Sequence, residues 1–407
     1  MSVVLIRPLA VRTVAVSDPG DLLTRLPDAM PYAWIRHGEG LVGWGEAARI
    51  VIPPGPDRFD RAREWLGSLF DGARIDDEVE APGSGPVAFG SFTFDGDAAG
   101  STLVIPRTVL ARRHGRAWLT TIGEAGSVPV TSPVEPGRIR YGDGTLTAPE
   151  WEQAVARAVR RIRSGTLDKV VLARDLTATA ERDIDTRVLL SRLAVRYPEC
   201  YTFSVDGLTG ATPELLVRHT GRSIESLVLA GTTPRGAGPA EDAARGVALY
   251  ASGKDRHEHA CAVASVQEAL APLCSTLDVP ARPELLVLPN VQHLASRVSG
   301  RLSDGASVLD VVAAMHPTAA VGGTPTGMAL RVIRELEGMA RGGYAGPVGW
   351  IDSRGDGEWG IALRCAQISG RRARLFAGCG IMAGSDPVAE LAEAQAKFRV
   401  MQYALEG

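Results

Sequence analysis

The spacing of apolar residues changes character at Thr147. Up to about residue 125, short strand-like runs such as 3–6 and 101–105 are divided by turns such as Pro53-Pro54-Gly55, which predicts a series of short strands. Residues 126–149 contain four prolines and four glycines among mainly polar neighbours and read as a long connection or a boundary. From Thr147 the period becomes helical, with Trp151, Val155, Val159 and Ile162 three or four residues apart. Thr147 and Glu150 have capping-box spacing, Pro149 suits a first turn, and Gly165 stops the helix.

The next segment, 169–174, is a compact β-branched run of the kind that forms a buried strand. Further strands are expected at 201–205, 215–219, 297–302, 348–351, 359–368 and 373–377, and helices at 185–196, 243–270, 307–315, 327–339 and 387–403. Strands and helices in this order, with two long helix-free stretches, predict an α+β fold with large antiparallel sheets rather than a doubly wound nucleotide-binding fold.

Composition narrows the function classes. The longest unbroken apolar runs, such as 311–315, fall far short of the roughly 18 residues that span a bilayer. The first thirty residues mix Arg7, Arg12, Asp18, Asp21 and Arg25 among short apolar stretches, unlike a secretory leader, so a cytoplasmic protein with no membrane partner is expected. Five dispersed cysteines without a CxxC indicate packed thiols, not a disulfide framework or a zinc site. A net charge of −3 with scattered basic residues gives no footprint for nucleic acid.

Of 44 basic residues only Lys169, Lys254 and Lys397 are lysines. Codon bias accounts for the scarcity. The lysines that remain are candidates for positions where a compact charge able to lose its proton matters.

Several segments carry candidate chemistry. Under strand alternation over 359–368, Gly360, Ala362, Arg364 and Ala366 share a face that is hollow apart from one guanidinium, which suits either a carboxylate ligand or tight helix packing with an internal acid beside Arg364. The segment 377–384 (AGCGIMAG) reads as a glycine-rich loop whose amides could hold an anion, too near the C-terminus for a dinucleotide fingerprint. On the last helix, capped by Ser385 or Asp386, Glu390, Glu393 and Lys397 share a face, as either a solvated salt-bridge ladder or part of a metal site. One more carboxylate from the KDRHEH segment (254–259) would complete an oxygen set suited to Mg²⁺. Lys169 in its apolar strand and Glu214 beside Pro213 are placed where burial shifts a lysine pKa down and a carboxyl pKa up, as a general base and acid require; the alternative is that they pair with each other or with other charges.

Read in order, these segments resemble the chorismate-utilising enzymes. The resemblance runs from about Thr147 to the C-terminus through DKVVLAR (168–174), TPELL (212–216), LAGTTPRG (229–236), KDRHEH, HPTAAVGGTP (316–325), GGYAGPVGW (342–350), GDGEW with ALRCA (355–359 and 362–366), AGCGI (377–381) and ExxExxxK (390–397). HPTAAVGGTP and GDGEW are similar to the isochorismate synthase branch. Ala230 stands where aminodeoxychorismate synthases carry a lysine nucleophile, and Lys169 matches the lysine that activates water in the isochorismate and salicylate branches.

The resemblance implies a single α+β domain of two packed, mainly antiparallel sheets with helices outside. Residues 1–146 would supply strands to the same fold and 147–407 the chorismate-binding catalytic region. It implies Mg²⁺-dependent conversion of chorismate to isochorismate by a monomer, with Lys169 as base and Glu214 as acid. Glu258, Glu390 and Glu393 would hold the metal, and Thr232, His316, Tyr344, Arg364, Gly378 and Lys397 would bind substrate. A salicylate synthase, or a non-catalytic chorismate-binding homologue, is the alternative.

Overall fold

A computed structural model describes residues 8–27, 31–124, 129–287 and 291–407, and all of these except the side chain of Lys254. The strand expected at 3–6 lies outside them. Two sheets dominate, one of thirteen strands and one of ten. Among the described residues every pairing is antiparallel except that of Ala10–Val16 with Arg74–Asp77.

N-terminal strands are interleaved with C-terminal ones in both sheets. Tyr32–Arg36 pairs with Tyr201–Val205 in the larger, and Val87–Ser91 pairs with Pro347–Asp352 in the smaller. The proline/glycine stretch leads into strand Ile139–Asp143, which joins Lys169–Ala180, so it is an internal connection and not a boundary. Aromatic rings fill the space between the sheets: Tyr32 of one meets Phe89 of the other at 5.8 Å.

Helices cover the outside. The capping box of Thr147 and Glu150 forms as expected, and Trp151, Val155, Val159 and Ile162 are buried along one face of Ala148–Arg163. This helix packs against Thr326–Glu337 and against the last helix, Pro387–Glu406. The helix expected over 243–270 is two helices, Pro239–Ala251 and Gly253–Leu270, because extended Ser252 caps the second with its hydroxyl.

Two more expectations are corrected. The segment 377–381 is the end of strand Arg372–Ile381, not a loop, and pairs with Lys169–Ala180 through Val170–Ile381. The strand expected over 359–368 is interrupted: Gly357–Ile361 lies in the smaller sheet, Cys365–Ser369 in the larger, and Arg364 between them has φ +50°. The chain crosses between sheets here, which period-two alternation cannot reveal. A second crossing runs beside it, from Leu208–Thr212 in the larger sheet to Leu215–Thr220 in the smaller.

Candidate active site

The two crossings create the site. Thr212, fully buried, joins them: its hydroxyl donates to Ile361 O at 2.6 Å and accepts from Glu214 N at 3.2 Å. Ala211 N donates to Arg364 O at 3.2 Å, and Ile361 N to Glu214 O at 3.1 Å. Glu214 and Arg364 are therefore held side by side by backbone bonds between two segments each anchored in both sheets. Among the described residues Arg364 has no acidic partner within ion-pair distance, so the reading of a guanidinium spent on an internal acid does not hold.

Burial raises the Glu214 carboxyl to a pKa of about 7, against the opposing pull of Lys169 and Arg364. Lys169, at the start of its strand, is not a lone amine in apolar surroundings. Its Nζ lies 2.5 Å from Glu258 Oε1, with 14% of the lysine side chain and 25% of the glutamate exposed. Glu258 is carried by helix Gly253–Leu270, which the neighbouring His259 fastens to the sheet. His259 Nε2 lies 2.8 Å from Ser296 Oγ and Nδ1 3.2 Å from Ala230 O.

The strand Arg372–Ile381 supplies room. A Cβ at Gly378 would lie 2.8 Å from the Tyr344 hydroxyl, and one at Gly380 would lie 3.0 Å from Lys169 Cε, so glycine at both positions admits these two side chains. Tyr344 is buried and stacked on Phe376 at 5.1 Å, and burial pushes its hydroxyl pKa upward. The strand that flanks Arg372–Ile381 on its other edge ends its pairing at Leu375, which leaves the 376–381 stretch open on that side.

Lys397 reaches from the last helix to Gly378 O at 2.7 Å and to Glu393 Oε1 at 2.7 Å. Burial alone would raise the Glu393 carboxyl, but the Lys397 ammonium, helped by the Cys379 thiol and Arg364, outweighs it and holds the pKa low. Glu390 accepts from Ser385 Oγ at 2.6 Å. Atoms of Glu390, Glu393 and Cys379 lie within 4.8 Å of one another. Burial keeps the Cys379 thiol protonated, with a pKa of about 12, so the donors suited to a hard cation are the two carboxylates. Glu258 stands outside that cluster, engaged by Lys169.

His316 is held by Phe94. Its Nε2 donates to Phe94 O at 2.9 Å and its ring meets the edge of Phe94, with Arg58 and Arg341 as charged neighbours; burial lowers its pKa to about 4. The histidine near Arg364 and Lys397 is His293, which the sequence reading missed. Its Nδ1 meets Thr232 Oγ1 at 2.8 Å, while its buried Nε2 has no hydrogen-bond partner among the described residues. Burial, reinforced by Arg364 and Lys397, lowers its pKa to about 4 and keeps it neutral. Thr232 sits just past a bulge at Gly231, where φ is +75°. A histidine near the head of a mixed polar and apolar strand, VQHLASRVSGRL, is a weak local signal.

A cavity of about 530 Å³ lies at the other ends of the two crossing strands, lined by Trp34, Arg113, Arg218 and Glu358. Glu358 is already held there by Trp34 Nε1 at 2.7 Å, by Arg218 Nε at 3.0 Å and by Arg113. The perturbed acid and the unpaired arginine are elsewhere, at the crossings, and the carboxylate pair is on the last helix. No described helix is long and apolar enough to cross a membrane. All five cysteines are free; Cys200, Cys365 and Cys379 are packed as expected, whereas Cys261 is exposed.

A model of the family described as chorismate binding enzyme matches residues 133–406. Isochorismate synthase DhbC of Bacillus subtilis (strain 168) is 43% identical over 268 residues, 63% of this chain and 67% of that protein. Isochorismate synthase MenF of the same organism is 34% identical over 383 residues, 86% of this chain and 80% of that one. The solved structure of MenF, the menaquinone-specific isochorismate synthase from Escherichia coli, superposes with a TM-score of 0.82 at 25% identity, covering 98% of this chain and 96% of that one.

Proposed function

Because the chain belongs to the chorismate-binding enzyme family, on its isochorismate synthase branch, we propose that it converts chorismate to isochorismate with Mg²⁺. The observation that carries the chemistry is Glu214: a carboxyl raised to about 7, set beside an unpaired arginine and within electrostatic reach of the only strand-borne lysine in the site. A carboxylic acid with that pKa is protonated often enough near neutral pH to serve as a general acid.

In this reading Arg364 and Lys397, with the Tyr344 hydroxyl, bind the carboxylates of chorismate, and Gly378 leaves the space for them. Lys169 takes a proton from water, which attacks ring carbon C2 while the double bonds shift. Glu214 gives its proton to the C4 hydroxyl, which departs as water. Glu214 ends as the carboxylate and Lys169 as the ammonium, so a proton returned from one to the other through solvent closes the cycle. The reverse reaction exchanges the two roles.

Glu390 and Glu393 fit a hard cation by chemistry and proximity, and Glu258, which pairs with Lys169 outside that cluster, would join them as a third carboxylate. A bound Mg²⁺ would supply positive charge for the ring carboxylate. Lys169 accepts a proton only as the free amine, so its ammonium must leave Glu258 and lose a proton to solvent before it can act. Turning the Glu258 carboxylate from Lys169 toward Glu390 and Glu393 would remove the charge that favours the ammonium.

Incubating the purified protein with chorismate and Mg²⁺ and resolving the products tests the reading. Accumulated isochorismate supports it, salicylate with pyruvate makes the protein a salicylate synthase, and chorismate recovered unchanged makes it a binding homologue.

A further inference from the structure

Strand Lys169–Ala180 is incompletely paired on one edge, just past Lys169. Its partner on that edge, Gly323–Thr324, covers Lys169 and Val170 only. The next partner, Ile139–Asp143, begins at Leu176. Among the described residues no strand pairs with 171–175 on this edge, where the one backbone bond is Val171 N to Gly322 O at 2.9 Å, although the opposite edge is paired to Arg372–Ile381 from Val170 to Thr179. Buried peptide groups left without partners there would each cost about as much as a lost hydrogen bond.

Side chains fill the gap. Arg341 donates to Val171 O at 2.7 Å, Glu337 Oε1 accepts from Ala173 N at 2.7 Å, and Trp151 Nε1 donates to Ala173 O at 3.0 Å. Glu337 and Arg341, one helical turn apart in sequence, also bind each other twice, at 2.5 and 3.0 Å, with side chains only 1% and 2% exposed. Arg341 donates further to Val321 O at 2.9 Å, and its own carbonyl accepts from Tyr344 N at 3.1 Å. One buried ion pair thus links the strand of Lys169, the segment leading to Gly323 and the turn that presents Tyr344.

We propose that the Glu337–Arg341 pair is a positioning device for Lys169, standing in for the missing strand neighbour. Stability alone does not call for it, because apolar residues of similar volume often serve a buried site as well as an ion pair does. Apolar residues cannot bond Val171 O, Ala173 N and Val321 O together, whereas a planar guanidinium with a carboxylate can. Fixing these peptide groups sets where the strand begins, and hence where Lys169 points relative to Glu214. The proposal rests on Lys169 being the base.

The scarcity of lysine provides a test independent of that reading. Protein labelled with ¹³C at lysine Cε has three lysine signals, and loss of one in Lys169→Arg identifies Lys169. The double variant Glu337→Gln/Arg341→Met removes both charges and leaves no buried ion unpaired. With the fold intact by near-ultraviolet circular dichroism, the Lys169 signal should move, kcat should fall about 10- to 100-fold, and KM for chorismate should stay within about twofold. An unmoved Lys169 signal, or wild-type kcat, overturns the proposal. If the double variant does not fold, Arg341→Lys carries the same readouts, since it keeps the charge and loses the fork. Wild-type protein that makes no isochorismate, with a Lys169 signal that still moves in the variant, refutes the catalytic reading and upholds the positioning.

Discussion

Lys169 Nζ and Glu258 Oε1 are 2.5 Å apart, so the amine proposed as base and a carboxylate proposed as metal ligand hold each other. Replacing Lys169 with Arg keeps a partner for Glu258 but removes any group able to give up a proton near neutral pH. Isochorismate formation, followed chromatographically, should drop by about 100-fold or more, the range ascribed to a lost general base. Near-normal turnover in Lys169→Arg would reassign the base.

The Glu214 carboxyl gives a sign to the pH profile. The acid must be protonated, so kcat should fall as pH rises through about 7. Its folded pKa is raised above the ordinary 4.5, so the folded state binds the proton more tightly than the unfolded one. Stability contributed by this group is therefore full below about 4.5 and declines as pH rises through about 7. Glu214→Gln should abolish the alkaline limb in kcat and, in denaturant titrations, be less destabilised than wild type on going from pH 5 to pH 8.

Gly378→Ala places a methyl 2.8 Å from the Tyr344 hydroxyl, and the ring stacked on Phe376 cannot retreat freely. The substitution should cost about 1–3 kcal/mol by thermal or chemical unfolding, as overpacking does. It should also raise KM for chorismate more than it lowers kcat, since the crowded groups bind and do not transfer protons. Steady-state kinetics separate the two effects.

Glu393 is held ionised beside Lys397 and close to Glu390. Glu393→Ala should remove the Mg²⁺ dependence of activity together with the activity itself, and calorimetric titration should show Mg²⁺ binding weakened at least tenfold. Unchanged titration would place the metal elsewhere.

Much of the site was legible because its residues fall in short, ordered segments whose chemistry differs from their surroundings: a lysine in an apolar strand, a glutamate after proline, two glutamates and a lysine on one helix face. The strand at 169 and the capped helix after Thr147 were readable from local rules alone. Arg364 stood out as a lone guanidinium on a face of small residues although the strand expected through it is interrupted. Alternation describes a strand within one sheet, and nothing local marks the residue at which a chain leaves one sheet for another. The break at Ser252 was missed because a serine inside an amphipathic pattern is compatible with a continuous helix. His293 was missed because a lone histidine beside Gln292 and Leu294 carries no local mark, and only the tertiary arrangement brings it to Thr232 and within electrostatic reach of Arg364. The Lys169–Glu258 pair joins residues 89 apart, a distance over which spacing rules are silent.

Glu214 and Arg364 ride on segments clamped at each end to a different sheet, so they do not move as loop residues do. Glu214 is carried between the sheets and Lys169 in the larger one, so the distance between them depends on how far apart the two slabs are held. Trp34, whose ring tip would touch a Cβ at Gly360 at 3.0 Å, acts as a spacer between the two slabs. Sequence changes among the interleaved aromatic rings, far from any substrate atom, would then retune the chemistry by a fraction of an ångström, and the core of this protein is also its calliper.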